Sequence, residues 1–538
     1  MCGIFFSCSN SRDENGCCDD NLKEFLLRRG PDCFHEIGLV KFGYWFKFQG
    51  NVLHLRGDQL VKQPIMVNQN VLLWNGEMFN CNGENGDQSD SQFLFNQLEL
   101  CDGDDQLIYR IIGRIQGPFA IIYWDEKSRT LFFGRDSVGR RSLCWKKADE
   151  PFELKLSSIC VPGENDWEEI PANGIYSLNF SHEKPEVKLR NWKQNIAGEL
   201  VDHIESIPSP IITTLNDELP NELNLISSVV DDETVNNLIS ILSQSIETRV
   251  TKFNQLCQKC VENFREKCDH SSVGILFSGG LDCTTLAILS DKYIPMYQSI
   301  DLINVAFSID APDRLTGLES FEEISALRPE RRWNFVQIDV TLEDLKIARQ
   351  KYIKHLIKPC NSVLDDSIAC AVWFAAKGHG ICRSVEYQSP ARILLLGMGA
   401  DEQFAGYSRH RTAFQRKGWQ GLIDEVRSDI VRIPLRNLGR DDRIISDHGK
   451  ECRLPYLDEN LINYLNSLPI WKKTNLTLER GKGDKILLRF VALKLGLTKV
   501  SGFPKRAIQF GSRIAHLEKR KEKGHELCPR LTDLPNES

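Results

Sequence analysis

The chain has 538 residues, 41% of them hydrophobic and 26% charged, and its 67 Lys and Arg against 74 Asp and Glu give a formal net charge of −7. This composition excludes a disordered protein and leaves room for about two to four domains. The acidic balance gives no electrostatic reason to expect nucleic acid. No apolar run reaches about 18 residues, so we expect no transmembrane helix. Eighteen cysteines without a secretory leader pattern predict reduced thiols in a cytoplasmic protein.

Short strand patterns separated by turns dominate the first part of the chain. They lie at Gly43–Phe48, Asn70–Trp74, Phe119–Trp124, Thr130–Phe133 and Gly174–Asn179. Two apolar patches with helical spacing, at Gln92–Leu100 and Leu107–Ile115, interrupt the strands. This order predicts a layered α+β domain.

The second part of the chain alternates between strand and helix patterns. A polar stretch at 193–230 precedes an amphipathic helix that opens at Asp231 and carries apolar residues to Phe253. A strand at Val273–Phe277 leads into a helix at Leu281–Leu289. Further strands are predicted at Leu302–Ile309, Trp333–Val340 and Ile393–Gly397. The alternation favours a doubly wound α/β domain with ligand sites at the carboxyl ends of its parallel strands.

Cys2 directly follows the initiator methionine. Removal of Met1 would place a thiol and an α-amine on the same residue. An α-amine titrates near pH 7.7–8.0, so part of it is neutral at physiological pH and can act as a base. One residue would then supply both the nucleophile and its base, as an N-terminal threonine does.

Several motifs accompany Cys2 in a fixed order. They are Arg29-Gly30-Pro31-Asp32, Asn75-Gly76-Glu77, Ser89-Asp90, Gly117-Pro118-Phe119-Ala120 and Gly134-Arg135-Asp136-Ser137-Val138-Gly139. In this order they resemble the class II glutamine amidotransferases, which are N-terminal-nucleophile (Ntn) glutaminases. The resemblance implies an αββα Ntn-hydrolase sandwich in the first domain.

The same resemblance implies roles for individual residues. Cys2 would attack the side-chain amide of glutamine, and the Asn75 side chain with the Gly76 backbone N–H would form the oxyanion hole. Arg56 would hold the α-carboxylate of glutamine, and Asp90 the α-ammonium with help from Glu77.

Ser278-Gly279-Gly280-Leu281-Asp282 stands between a predicted strand and a predicted helix. Glycines let the backbone approach a phosphate, and N–H groups at a helix start point toward it. Asp282 is placed to hold Mg²⁺ beside that phosphate. A second element, residues 397–407 (GMGADEQFAGY), also follows an apolar strand, so its acids should lie at the same sheet edge.

Together with Arg453–Asp458, Lys485 and Lys505, these segments resemble the ATP-pyrophosphatase domain of glutamine-dependent asparagine synthetases. The resemblance implies Mg²⁺ at Asp282 and Asp401, and adenylation of the aspartate β-carboxylate by ATP before ammonia displaces AMP. It also implies the following ATP-binding residues: Leu276, Ser278, Gly279, Gly280, Asp282, Cys283, Phe307, Gly397, Lys485 and Lys505.

Four positions depart from the family pattern. Cys283 replaces the serine of the phosphate loop, and sulfur is a poorer hydrogen-bond partner than oxygen. Met398 replaces a glutamate between two glycines, and methionine cannot transfer a proton. Leu396 replaces a small polar residue, and the segment 157–159 (SSI) lacks the glutamate that usually follows its serine.

Two other patterns predict no site. Gly134–Ser142 spaces two glycines like a P-loop, but Arg140-Arg141 stands where Lys-Ser or Lys-Thr is needed. Cys257-x-x-Cys260 with Cys268 has one zinc-like pair but no second, and we place it on the amphipathic helix and expect no metal there. The basic run Lys519–Lys523 is interpreted as a solvated tail.

The prediction is therefore a glutaminase domain at 2–185, a polar linker at 186–230, an asparagine synthetase domain at 231–515 and a flexible tail at 516–538. We expect a glutamine-dependent asparagine synthetase-type ligase that uses ATP and Mg²⁺, with glutamine and aspartate as substrates. The expectation includes no nucleic acid and no membrane, and a homodimer as an oligomeric state to test.

The departures keep two alternatives open: a degenerate synthetase that acts as a nucleotide-binding or scaffold protein, and an amidotransferase for another acceptor.

Overall fold

The computed structural model describes residues 2–10, 20–81, 89–182, 184–193, 206–211, 214–221, 230–262, 268–518 and 522–531. Within this part of the chain, no helix is both long enough and apolar enough to cross a membrane. Parts of the predicted linker (194–205, 212–213 and 222–229) and of the basic run (519–521) lie outside the described residues.

The elements follow the chain in this order. The strands are β1 (Gly3–Ser9), β2 (Cys33–Lys41), β3 (Tyr44–Val52), β4 (Ile65–Val67), β5 (Asn70–Gly76), β6 (Phe119–Asp125), β7 (Thr130–Arg135), β8 (Cys144–Asp149), β9 (Phe152–Ser157), β10 (Glu168–Glu169), β11 (Gly174–Asn179), β12 (Val187–Asn191), β13 (Val273–Leu276), β14 (Ile300–Ala306), β15 (Trp333–Asp339), β16 (His379–Cys382), β17 (Val385–Gln388), β18 (Ile393–Leu395) and β19 (Glu451–Arg453).

The helices are α1 (Asp20–Arg29), α2 (Asp90–Glu99), α3 (Asp105–Gly113), α4 (Asp232–Thr251), α5 (Gln258–Glu262), α6 (Leu281–Ser290), α7 (Pro312–Leu327), α8 (Leu342–Ala348), α9 (Lys354–Leu356), α10 (Val363–Lys377), α11 (Ala400–Gln403), α12 (Ser408–Arg436, broken at Gly418), α13 (Leu438–Ser446), α14 (Glu459–Ser467), α15 (Ile470–Lys473), α16 (Ile486–Lys494), α17 (Ile508–Gly511) and α18 (Ile514–Leu517).

The chain forms two compact units. The first comprises Met1–Ile211 together with two later segments, Lys354–Asn361 and Ile433–Glu451. The second comprises Ile212–Ile353, Ser362–Arg432 and Cys452–Ser538. Helix α13 therefore belongs structurally to the first unit although it lies more than 200 residues downstream in the sequence.

Two six-stranded sheets face each other in the first unit, in the orders β10-β8-β9-β1-β3-β2 and β12-β11-β7-β6-β5-β4. Alternate residues of both sheets, such as Ile4, Phe48, Leu73 and Ile122, form the core between them. The other face of the second sheet packs on α2 and α3. Helix α1 contacts β1 and β3 of the first sheet. This is the predicted αββα sandwich.

A seven-stranded sheet organises the second unit, in the order β17-β16-β15-β14-β13-β18-β19. Strands β15, β14, β13 and β18 pair in parallel, and β16 and β17 add an antiparallel edge. Helix α4 begins where the sequence predicts, because the Asp231 carboxylate caps it by accepting a hydrogen bond of 2.7 Å from the Thr234 N–H. The predicted doubly wound α/β fold is confirmed.

A buried ion pair ties α13 to the glutaminase-like sandwich. Arg29 NH2 lies 2.8 Å from Asp442 Oδ2, and both side chains are fully buried. Asp442 also accepts a hydrogen bond of 3.1 Å from the Ser142 N–H and lies 3.4 Å from Arg141 NH1. Arg29 Nε in turn donates to the carbonyl oxygen of Cys2 at 3.5 Å. The pair therefore connects α13 to Cys2, the residue immediately before the first strand.

Replacing Asp442 by Asn should lower the free energy of unfolding by about 3 kcal/mol, because it leaves Arg29 buried without a counter-charge. Urea unfolding of the full chain measures this cost. The matched control is Asp102→Asn, which breaks the exposed pair between Asp102 and Lys127 and should cost less than about 1 kcal/mol. Equal costs for the two variants would contradict the role of the buried pair.

Candidate active sites

Cys2 lies at the entrance to β1 and is almost fully buried, with 6% of its surface exposed. Its backbone N–H donates to Asn75 Oδ1 at 3.0 Å, and Gln63 Nε2 donates to its Sγ at 3.6 Å. Burial raises the pKa of the Cys2 thiol. A thiol in this environment needs a neighbouring base before it can act as a nucleophile.

Asn75 and Gly76 end strand β5, opposite Ala120 and Phe119 of β6. Asn75 is fully buried, and among the described residues no hydrogen-bond partner is found for its Nδ2. A Cβ on Gly76 would lie only 2.6 Å from the carbonyl oxygen of Pro118, so the close approach of the two segments requires glycine. A buried amide donor next to Cys2 is what an oxyanion hole requires.

The three residues predicted to hold the amino-acid end of glutamine, Arg56, Glu77 and Asp90, converge around one backbone segment. Arg56 NH1 donates to the carbonyl oxygen of Met78 at 2.8 Å and lies 3.9 Å from Glu77 Oε2. Asp90 Oδ2 accepts from the Met78 N–H at 3.0 Å and from Trp74 Nε1 at 3.3 Å. Burial raises the pKa of Asp90, although the Arg56 charge acts in the opposite direction. The structure thus brings together Arg56, predicted to hold the α-carboxylate, and the two acids predicted to hold the α-ammonium.

Gln63 was not identified from the sequence, and it contacts both the nucleophile Cys2 and strand β5. Its Oε1 accepts from the Trp74 N–H at 2.7 Å while its Nε2 reaches Cys2. Ser158, noted only because a glutamate is missing after it, accepts a hydrogen bond of 3.1 Å from the Ile4 N–H. Neither residue belongs to a motif with a diagnostic spacing, so no sequence signal could have found their contacts.

The Ser278–Gly280 loop joins β13 to α6. Gly279 has a φ of +76°, and a Cβ there would lie 2.5 Å from the backbone N of Gly317 in α7. The loop is therefore restricted to glycine both by its left-handed conformation and by its packing. Gly280 is the N-cap of α6, which leaves the first N–H groups of the helix available for an anion.

The Cys283 side chain contacts two residues of this loop, Gly280 and Ser278. Its Sγ donates to the carbonyl oxygen of Gly280 at 3.4 Å and lies 3.7 Å from Ser278 Oγ. Only 5% of Cys283 is exposed, and burial raises the pKa of its thiol. The substitution of sulfur for oxygen thus keeps the turn intact while offering a weaker hydrogen bond.

Asp282, Asp401, Lys485 and Lys505 form what we call the acid–lysine cluster. Lys485 Nζ lies 2.8 and 2.7 Å from the two carboxylate oxygens of Asp282 and 2.6 Å from Asp401 Oδ1. Lys505 forms an ion pair with the other oxygen of Asp401. The structure brings Asp282 and Asp401 together, as their positions after two apolar strands predict, and adds the two lysines from later segments of the chain.

The charges of the acid–lysine cluster stabilise one another. Burial alone would raise the pKa of Asp401, but Lys485 and Lys505 hold it well below its usual range. Burial alone would lower the pKa of Lys485, whereas Asp282 and Asp401 raise it above its ordinary value. Two carboxylates and two ammonium groups beside a glycine loop can together bind Mg²⁺ and phosphate oxygens.

Glycines make room for the acid–lysine cluster. A Cβ on Gly406 would lie 2.1 Å from Asp401 Oδ1 and 2.3 Å from Lys485 Cε, and a Cβ on Gly397 would lie 3.0 Å from the Asp282 Cβ. Tyr456 is fully buried behind the cluster and donates from its hydroxyl to the Asp282 carbonyl oxygen at 3.1 Å. Gly397 and Gly406 are therefore explained by close packing against the charged side chains of the cluster.

The predicted nucleotide contacts Leu276 and Phe307 and the two departures Leu396 and Met398 differ in exposure. Phe307 is buried and stacks edge-on against Phe374 at 6.2 Å, and Leu396 is also buried. Leu276 and Met398 are partly exposed. Met398, which stands where the family pattern has a glutamate, is thus partly open to solvent.

Asp313 is a further acidic residue near the lysines that sequence reasoning did not identify. Burial raises the pKa of its carboxyl group to about 7, although Arg506 and Lys505 act in the opposite direction. It lies against Gly511, where a Cβ would approach its carboxylate to 2.1 Å. Asp313 opens α7 without any motif around it, so no sequence signal indicated its position.

The comparisons with known proteins agree with this division of chemistry. A family model described as "Glutamine amidotransferase domain" matches residues 53–158, and one described as "Asparagine synthase" matches residues 265–430. These matches confirm the predicted pairing of a glutamine amidotransferase with an asparagine synthase domain in one chain.

"Asparagine synthetase domain-containing protein 1" of Mus musculus is 37% identical over 99% of this chain and 100% of its own length, and that of Homo sapiens is 38% identical over 99% and 98%. "Asparagine synthetase [glutamine-hydrolyzing]" of Gallus gallus is 24% identical over 91% of this chain and 80% of that protein. The chain belongs to the asparagine synthase family, among the relatives called asparagine synthetase domain-containing protein 1.

Proposed function

We propose that the protein is a glutamine-dependent, ATP-consuming carbon–nitrogen ligase that amidates aspartate to asparagine. The observation that supports it most directly is the acid–lysine cluster beside the Ser278–Gly280 loop. Family membership alone does not decide the activity, since the relatives at 37–38% identity carry a domain name and the named synthetase is 24% identical. The chemistry must therefore be argued from the residues.

At the first site, the α-amine of Cys2, exposed once Met1 is removed, would accept the thiol proton. The thiolate would attack the side-chain carbon of glutamine, release ammonia and leave a thioester that water hydrolyses to glutamate. The Nδ2 of Asn75, which has no hydrogen-bond partner within the described part of the chain, is the donor that would stabilise the oxyanion of both tetrahedral states. Arg56 and Asp90 would hold the amino-acid end of the substrate.

At the second site, Asp282 and Asp401 would hold Mg²⁺, which supplies neutralisation of the triphosphate charge. Lys485 and Lys505, then released from their carboxylate partners, would contact phosphate oxygens. The Ser278–Gly280 loop and the start of α6 would receive the pyrophosphate. The aspartate β-carboxylate would attack the α-phosphate, and ammonia would displace AMP from the acyl adenylate.

A second candidate rests on Met398, which is partly exposed where a family glutamate is expected to act as base. Methionine accepts no proton, and Leu396, two residues earlier and just after β18, is buried. These two side chains favour an amidotransferase whose acceptor is not aspartate. The same glutaminase and ATP chemistry would serve such an enzyme, so the two candidates differ only in the acid that is activated.

Asn75→Ala should lower glutamine hydrolysis by about 10²–10³-fold in kcat/KM, because one oxyanion donor is lost. Glutamate release from glutamine by the full chain measures this effect. Asn96→Ala, on the exposed face of α2, is the matched control and should change the rate by less than about twofold. A full rate in the Asn75 variant would remove the basis for the first site.

Asp282→Asn should abolish pyrophosphate release from ATP, since it removes a Mg²⁺ ligand and the bidentate partner of Lys485. Glutamine hydrolysis by the same variant should persist. The exposed Asp217 offers a control in the same unit, and Asp217→Asn should leave both activities unchanged. Pyrophosphate release at the original rate by the Asp282 variant would contradict the assignment of this site.

A further inference from the structure

Three cysteines and one histidine meet at the other end of the sheet strand that carries the phosphate loop. The ligand atoms of Cys257, Cys260, Cys268 and His270 all lie within 4.8 Å of one another, and we call these residues the thiol–imidazole cluster. The interpretation of the cysteines as part of the amphipathic helix is wrong, because α4 ends at Thr251. The second pair missing from the sequence pattern is Cys268 with His270, two residues further on.

The distances within the cluster match those of a tetrahedral metal site. His270 Nδ1 lies 3.5 Å from Cys260 Sγ and 3.6 Å from Cys268 Sγ. A tetrahedral zinc ion, with Zn–S of about 2.3 Å and Zn–N of about 2.0–2.1 Å, places sulfur and nitrogen ligands about 3.5 Å apart. The side chains therefore need only a small adjustment to enclose an ion.

Hydrogen bonds from Gln298 to the backbone hold the two chain segments that carry the thiol–imidazole cluster. Gln298, which is 1% exposed, donates from Nε2 to the carbonyl oxygens of Gln255 at 2.8 Å and Cys268 at 3.0 Å. Its Oε1 accepts from Ser272 Oγ at 2.7 Å. One buried amide thus holds together the segment before Cys257 and the segment that carries Cys268 and His270.

The thiol–imidazole cluster lies before β13, whereas the phosphate loop follows that strand, and its cysteines are buried. All three cysteines are at least 96% buried, whereas the His270 side chain is 43% exposed. The cluster precedes β13, and the Ser278–Gly280 loop follows the same strand at its carboxyl end. Asp269 Oδ1 lies 3.7 Å from His270 Nδ1. Four closed N and S ligands are typical of structural zinc and leave no position for substrate.

We propose that Cys257, Cys260, Cys268 and His270 bind one structural Zn²⁺ ion that fixes the entry into β13. Binding displaces one proton from each of the three thiols, and the imidazole coordinates through Nδ1 in its neutral form. No oxidant or reductant takes part. The ion joins the segment after α4 to the first strand of the second unit, so its role is to support the fold around the phosphate loop.

The full chain, purified under reducing conditions from cells grown with added zinc, should contain about one zinc per chain by elemental mass spectrometry. Removing the metal with a chelator and adding Co²⁺ should produce the visible absorption of tetrahedral cobalt bound to thiolates. This second measurement needs no variant, so it remains informative even where a substitution prevents folding.

Cys260→Ser and His270→Gln should each lose the zinc or retain a small fraction of it. Cys33→Ser and His379→Gln replace a cysteine and a histidine outside the thiol–imidazole cluster and should keep the full content. Zinc-free wild-type chain that also shows no cobalt–thiolate band would overturn the proposal. A disulfide within the cluster in the reduced preparation, or undiminished zinc in both cluster variants, would overturn it as well.

Discussion

Lys485 lies between Asp282 and Asp401, and this arrangement sets the positions of most of the second site. Its ammonium group contacts three carboxylate oxygens within 2.8 Å while only 2% of the side chain is exposed. A buried lysine is costly unless its charge is balanced, so the two carboxylates must remain close to it. The strand that ends before Gly397 and the helix that begins at Ile486 are therefore held at fixed positions around the phosphate loop.

The buried charges of the acid–lysine cluster are suited to binding a Mg²⁺-nucleotide, although burying them is unfavourable for folding. A Mg²⁺-nucleotide brings a divalent cation for the carboxylates and oxygen anions for the lysines, so it exchanges each internal partner for an external one. The charges of the protein at this site are already largely withdrawn from water, because Asp282, Asp401 and Lys485 are buried or partly buried. The site is preorganised electrostatically, which is the main way in which enzymes stabilise developing charge.

In the first unit, buried hydrogen bonds and an ion pair between residues distant in sequence position the groups around Cys2. Asn75 uses its Oδ1 to fix the backbone of Cys2 and leaves its Nδ2 available, so one side chain both positions the nucleophile and offers a donor. Arg29 reaches the Cys2 carbonyl oxygen and is itself neutralised by Asp442 from α13. The geometry around Cys2 thus depends on a segment from the second half of the sequence.

Much of this architecture could be predicted from the sequence, because it depends on local patterns. Alternating apolar residues identified strands such as Gly174–Asn179, and Asp231 marked the start of α4. Because Asp282 and Asp401 each follow an apolar strand of a parallel sheet, the sequence predicted both at the same sheet edge. Asp442 could not be found in this way, since a buried acid in an amphipathic helix has no signature until its distant partner is known.

The misreading of the cysteines has a similar physical origin. Apolar periodicity continues to Phe253, which extended the predicted helix beyond its real end at Thr251. His270 was overlooked because metal-site spacing is usually read as two similar pairs, and here the second pair is Cys-x-His. Met398 and Leu396 remain positions whose chemistry the fold does not explain, since both fit sterically without supplying a base.

The most direct test of the account follows all products in one reaction. Wild-type protein is incubated with ATP, Mg²⁺, aspartate and glutamine, and pyrophosphate, glutamate and asparagine are quantified in the same tube. The account predicts that pyrophosphate release depends on aspartate and that asparagine appears in equal amount. Glutamate release without pyrophosphate or asparagine would contradict the proposed ligase.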